Sequence, residues 1–99
     1  MILKRTAIGL ALLSLPLSGA TAADAPPGAS SCSGCHPVSR SVDTPVKRLI
    51  GSNPADIVAA VQAYRSGQRP GTVMDRIAKG FTDDEIKAIA DWYGAQKDQ

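Results

Sequence analysis

Apolar residues recur at helical spacing in two stretches of the chain. Ile57, Val58, Val61 and Tyr64 form one stripe, and the preceding Asn53-Pro54-Ala55-Asp56 is a helix start, with Asn as N-cap, Pro at the first position and an acid in the first turn. This pattern predicts a helix from Pro54 to Gly67. Ile86, Ile89, Ala90 and Tyr93 form the second stripe, with Trp92 beside it. Thr82-Asp83-Asp84-Glu85 is a capping box with extra acids in the first turn, so this helix is expected to run to about Gln96.

The remaining segments read as connections. Ala23 to Ser31 is rich in Ala, Ser, Pro and Gly and predicts a lead-in with at most one helical turn. Pro37, Pro45 and Gly51 punctuate a loop between His36 and Asn53. Arg69-Pro70-Gly71-Thr72 is a turn before the short segment Val73 to Ala78. No segment alternates with a period of two and no internal repeat is present, so the expected class is all-α with three to four helices.

The first residues predict targeting. Lys4 and Arg5 provide a charged start, Ala7 to Leu17 an apolar run, and Ala20-Thr21-Ala22 a small-residue cleavage site. We expect a signal peptide over residues 1–22 and one domain over 23–99. Ser14 and Pro16 interrupt the apolar run, which falls short of the ~20 residues of a spanning helix. The expectation is export to the periplasm with no stable membrane insertion after cleavage.

Cleavage also changes the charge. Two of the eleven basic residues, Lys4 and Arg5, precede residue 23 and none of the nine acidic ones does, so the remainder is formally neutral. A nucleic-acid partner loses its electrostatic basis. Met1 is also removed, which leaves Met74 and His36 as the sole methionine and histidine.

The chemistry concentrates in Cys32-Ser33-Gly34-Cys35-His36. Two cysteines two residues apart with histidine immediately after them form the attachment signature for a c-type haem. That spacing lets both thiols reach the two vinyl groups on one porphyrin edge while the next side chain brings an imidazole to iron. Three other readings use the same residues. A disulfide or a redox dithiol is possible for a CxxC pair, although the thioredoxin-type motif requires a βαβ context that this chain lacks. Zinc would need a fourth good ligand beyond Cys32, Cys35 and His36.

Thioether sulfur suits the sixth position of haem iron and, paired with His, raises the reduction potential. With no second histidine available, Met74 is the expected partner of His36. Its alternative is gap-filling in a core. A ligating histidine generally donates its other ring N–H to an oxygen; the Pro45 carbonyl is the expected acceptor, with Pro37 as the rival. Arg76 and Lys79 are either partners of haem propionates or solvated charges. Tyr64, Phe81, Trp92 and Tyr93 are the only aromatics, so one haem, covalently attached and carrying iron, is expected to supply the apolar volume that a small domain lacks.

The chain from about Cys32 to Gln96 resembles small class I c-type cytochromes: CxxCH, a middle helix, a loop methionine and a C-terminal helix with aromatics. Tyr64-Arg65-Ser66-Gly67 followed by the run from Thr72-Val73-Met74-Asp75-Arg76 through Ile77-Ala78-Lys79-Gly80-Phe81-Thr82 resembles the cytochrome subunit of flavocytochrome c sulfide dehydrogenase and its single-haem, cytochrome c553-like relatives. The resemblance implies a small cytochrome c fold around a covalent haem c, with thioether bonds at Cys32 and Cys35, His36 as proximal ligand and Met74 as distal ligand. Pro37 departs from the glycine common after that histidine.

The resemblance implies an electron carrier, not an enzyme, exchanging electrons with redox protein partners, among them an FAD-containing dehydrogenase subunit of the sulfide-oxidising type. With both axial positions filled, iron suits electron transfer. The competing expectation is a haem sensor or catalytic haem protein with a labile sixth ligand.

Overall fold

Four helices follow one another in the computed structural model, which describes residues 24–97: α1 (Ala29–Cys32), α2 (Pro54–Ser66), α3 (Met74–Ala78) and α4 (Asp83–Ala95). The expected signal peptide and its cleavage point lie outside the described residues. No strand occurs among those described. The fold is all-α, as expected.

The two long helices begin and end where their caps dictate. The Asn53 side chain accepts from the Ala55 N–H at 2.9 Å, Pro54 occupies the first position, and Gly67 closes α2 with φ 79°, a left-handed conformation that glycine adopts without a Cβ clash. At α4, the Thr82 hydroxyl accepts from the Glu85 N–H at 3.2 Å, the N-cap bond, and donates to Glu85 Oε1 at 3.1 Å. Gln96 ends the helix.

Burial follows the stripes. Ile57 and Val61 of α2 and Ile86, Ile89, Ala90 and Tyr93 of α4 are buried, and α2 packs against both α3 and α4. One cluster joins Ala29, Ile57, Ile89, Ala90 and Tyr93, with Trp92 packed on its edge. The other joins Val61, Ala78 and Ile86, with Met74, Tyr64 and Phe81 beside it. Trp92 meets Tyr93 edge-on, with centroids 4.9 Å apart, so it is part of the packing.

Tyr93 fastens the last helix to the first. Its hydroxyl donates to the Ala29 carbonyl and shares a 2.6 Å hydrogen bond with the Ser33 hydroxyl, while its own carbonyl accepts from the Gly51 N–H at 3.1 Å. The C-terminal helix thus closes on the CxxCH turn. Burial pushes the Tyr93 phenol above its ordinary pKa.

Tyr93→Phe is expected to lower stability by about 1–3 kcal/mol in denaturant unfolding, because the Ala29 carbonyl loses its side-chain donor. A phenol whose folded pKa is raised stabilises fully below its unfolded value of ~10 and loses that contribution as pH climbs through the folded value. This part of the alkaline destabilisation should therefore be absent in Tyr93→Phe.

Candidate cofactor site

The four helices and the loop after His36 leave a cavity of about 520 Å³ between them. This is within the ~300–1,000 Å³ range of ligand and cofactor pockets. Cys32, Cys35, His36 and Met74 all line it. The CxxCH motif and a methionine from a distant part of the sequence are thereby gathered on one surface.

Each arrives on an element whose local structure positions it. Cys32 is the last residue of α1, and the turn after it is closed by hydrogen bonds to the Cys32 carbonyl from the N–H of Cys35 at 3.2 Å and of His36 at 2.8 Å. That one carbonyl holds CxxCH as a compact turn, with both thiols and the imidazole on the cavity lining. Met74 opens α3, and the N–H groups of Arg76 and Ile77 both bond to the Val73 carbonyl at 3.1 Å.

The His36 Nδ1–H donates to the Lys47 carbonyl. The acceptor is therefore neither Pro45 nor Pro37. The chain turns between Thr44 and Val46, where the Thr44 hydroxyl accepts from the Val46 N–H at 3.2 Å, and the carbonyl presented to the ring comes after that turn. A bond at Nδ1 leaves Nε2 as the nitrogen free to ligate.

Most of the lining is apolar: Leu49, Ile57, Val61, Ile77, Phe81, Ile86 and Ile89 supply it, with Tyr64 at one end. Its charged side chains are Lys47 and Arg69, and it contains no carboxylate. Arg69 lies over the Tyr64 ring, 4.9 Å from its centroid. Arg76 and Lys79 are exposed and off the lining. Arg65 and Arg69 were not singled out by sequence; a basic residue in the last turn of α2, just before its glycine cap, is the signal that could have marked Arg65.

The donor set discriminates among the readings of CxxCH. Both thiols are unpaired, and among the described residues no group of three or more His, Cys, Asp or Glu side chains could hold a metal ion, so zinc lacks its donors. Burial pushes the Cys32 thiol above its ordinary pKa, the reverse of the lowered pKa of a reactive redox cysteine. Two thiols, an imidazole and a thioether around an apolar cavity without carboxylates fit haem c, whose ring is apolar and whose propionates are anionic.

Comparison with known proteins agrees. No family model matches the chain. Over 64 residues, 65% of this chain, it is 38% identical to the cytochrome subunit of sulfide dehydrogenase from Chlorobaculum tepidum, and spans 58% of that relative's length. Over 70 residues, 67% of this chain, it is 31% identical to cytochrome c-554(548) from Halomonas halodenitrificans, of which it covers 84%. The chain belongs to the small c-type cytochromes. The cytochrome therefore carries covalently bound haem c with iron and is an electron-transfer haem protein of the small all-α cytochrome c fold.

Proposed function

We propose that the cytochrome is an exported, periplasmic one-electron carrier, with thioether bonds at Cys32 and Cys35, His36 as proximal ligand and Met74 as distal ligand. The observation that carries this reading is that the CxxCH residues Cys32, Cys35 and His36 and the sequence-distant Met74 line one cavity. Bound haem supplies the redox step, iron alternating between ferrous and ferric. The chain's own residues do the rest. The Lys47 carbonyl orients the His36 ring, the α2 and α4 side chains exclude water, and Met74 leaves no open position for small ligands, so electron transfer is favoured over oxygen or peroxide chemistry.

Export is supported by the charged start, apolar run and small-residue site of residues 1–22. No helix among the described residues is long and apolar enough to cross a membrane. In material from the periplasm, the pyridine haemochrome spectrum should report haem c bound through two thioethers. The ferric protein should carry a sulfur-to-iron charge-transfer band. Rapid, complete carbon monoxide binding by the ferrous protein at neutral pH would instead support a labile sixth position.

A second reading, a subunit of a flavin-dependent sulfide dehydrogenase, is favoured by the 38% identity to such a subunit. Copurification with an FAD protein would support it over a free shuttle. In either role the docking face has a chemical signature. Val73 and Ile77 line the cavity and are 52% and 41% exposed, and Lys47 and Arg69 share that lining. An apolar patch with cations suits a partner surface bearing acids. Electron-transfer rates with the physiological partner should accordingly fall as ionic strength rises, measured by stopped-flow; a flat dependence would dismiss the charge component.

A further inference from the structure

The segment bearing Met74 is tied at both ends to the last turns of α2. At its start, the Arg69 N–H bonds to the Ala63 carbonyl at 3.1 Å, and Gly71 lies so close to Tyr64 that a Cβ there would fall 2.9 Å from the ring. At its end, Arg65 places each guanidinium nitrogen on a different partner. Nε donates to the Ala78 carbonyl at 3.2 Å, one terminal nitrogen to the Phe81 carbonyl at 2.7 Å, and the other to the Asp83 carboxylate at 2.5 Å.

Those partners are the last residue of α3, the α3–α4 link and the first residue of α4. The Ala78 carbonyl is at a helix C-terminus, where carbonyls lack intrahelical partners and a cation is favoured. The Arg65 side chain is 28% exposed and Asp83 71%, so the two carbonyl bonds are the better shielded part of the fork. With only five residues, α3 has too few internal bonds to hold itself. Its orientation depends on these anchors and on the burial of Ala78 against Val61 and Ile86.

We propose that Arg65 is a positioning residue for Met74: its three-way clamp on the end of α3 sets how often the methionine sulfur leaves the sixth position, and hence how closed the iron is to other ligands. The proposal rests on the assignment of Met74 as distal ligand. An exogenous ligand binds only the fraction of molecules in which Met74 is detached, so its apparent affinity reads that fraction directly.

The test uses ferric holoprotein titrated with imidazole at neutral pH, with hydrogen exchange recorded in parallel. In Arg65→Gln, imidazole should bind roughly tenfold more tightly, the scale of one lost charge-assisted hydrogen bond, and amides 74–80 should exchange faster while those of α2 and α4 keep their protection. Arg65→Lys retains the charge without the fork and should fall between. Asp83→Asn keeps both carbonyl bonds and should change the affinity less than about twofold, as expected for an exposed pair.

A wild-type spectrum without the sulfur-to-iron band would overturn the Met74 assignment and this proposal with it. A wild-type band together with unchanged imidazole affinity in Arg65→Gln overturns the proposal alone. If Arg65→Gln does not accumulate, Arg65→Lys carries the test: affinity equal to wild type there overturns it, and an increase supports it.

Discussion

Exported protein carrying Cys32→Ala and Cys35→Ala is expected to be recovered without covalent haem and largely unfolded. Of the eight buried apolar residues among those described, Ala29, Ala78 and Ala90 are alanines, with little side chain to remove from water. A well-buried large side chain contributes about 1.5–3 kcal/mol, and chains below about 80 residues rarely exceed 3–5 kcal/mol in total even with an intact core. Here the centre of the domain is a 520 Å³ cavity whose lining includes Leu49, Ile57, Val61, Phe81, Ile86 and Ile89. Left without its macrocycle, that lining would be wetted or would collapse at the expense of helix packing. Circular dichroism against temperature checks this, and a cooperative, native-like melt of haem-free chain would contradict it.

Met74→Leu should convert a closed iron into an open one. Leucine roughly conserves the volume, so the penalty on stability should stay below about 1.5 kcal/mol, while the thioether is lost. The ferric protein should lose the sulfur-to-iron band, the ferrous protein should bind carbon monoxide completely, and the reduction potential should fall, because the Met/His pair is the combination that raises it. An unaltered spectrum and potential would mean that Met74 only fills space. Since His36 and its Lys47 acceptor are untouched, the pyridine haemochrome yield should equal that of the wild type, which separates loss of a ligand from loss of haem.

Helix limits were legible because they rest on local chemistry. Asn53 and Pro54 start α2, Gly67 ends it, and the Thr82–Glu85 box starts α4; each depends on hydrogen bonds spanning only a few residues. The buried faces were legible for a related reason. A stripe such as Ile86, Ile89, Ala90 and Tyr93 has one side on which it can leave water. CxxCH was legible because its geometry is contained in five consecutive residues.

What depends on long-range placement was not. The acceptor for His36 lies in a loop without periodicity, and prolines mark where that loop bends without indicating which carbonyl turns inward; Lys47 provides it. Arg65 is one of several cations in the sequence, and its engagement of Ala78, Phe81 and Asp83 exists only because α2 packs against α3 and α4 lies alongside. The Tyr93 hydroxyl meets Ala29 and Ser33 across the whole domain.

Sequence alone thus determined the two long helices, their inward faces and the CxxCH turn, since near-neighbour spacing decides all three; that Met74–Ala78 forms a short helix was not read from it. The tertiary structure decided which distant groups meet: the cavity that unites Cys32, Cys35 and His36 with Met74, the carbonyl beneath the histidine, and the arginine clamp. Those pairings follow from how helices pack and loops close, which no local pattern of residues encodes.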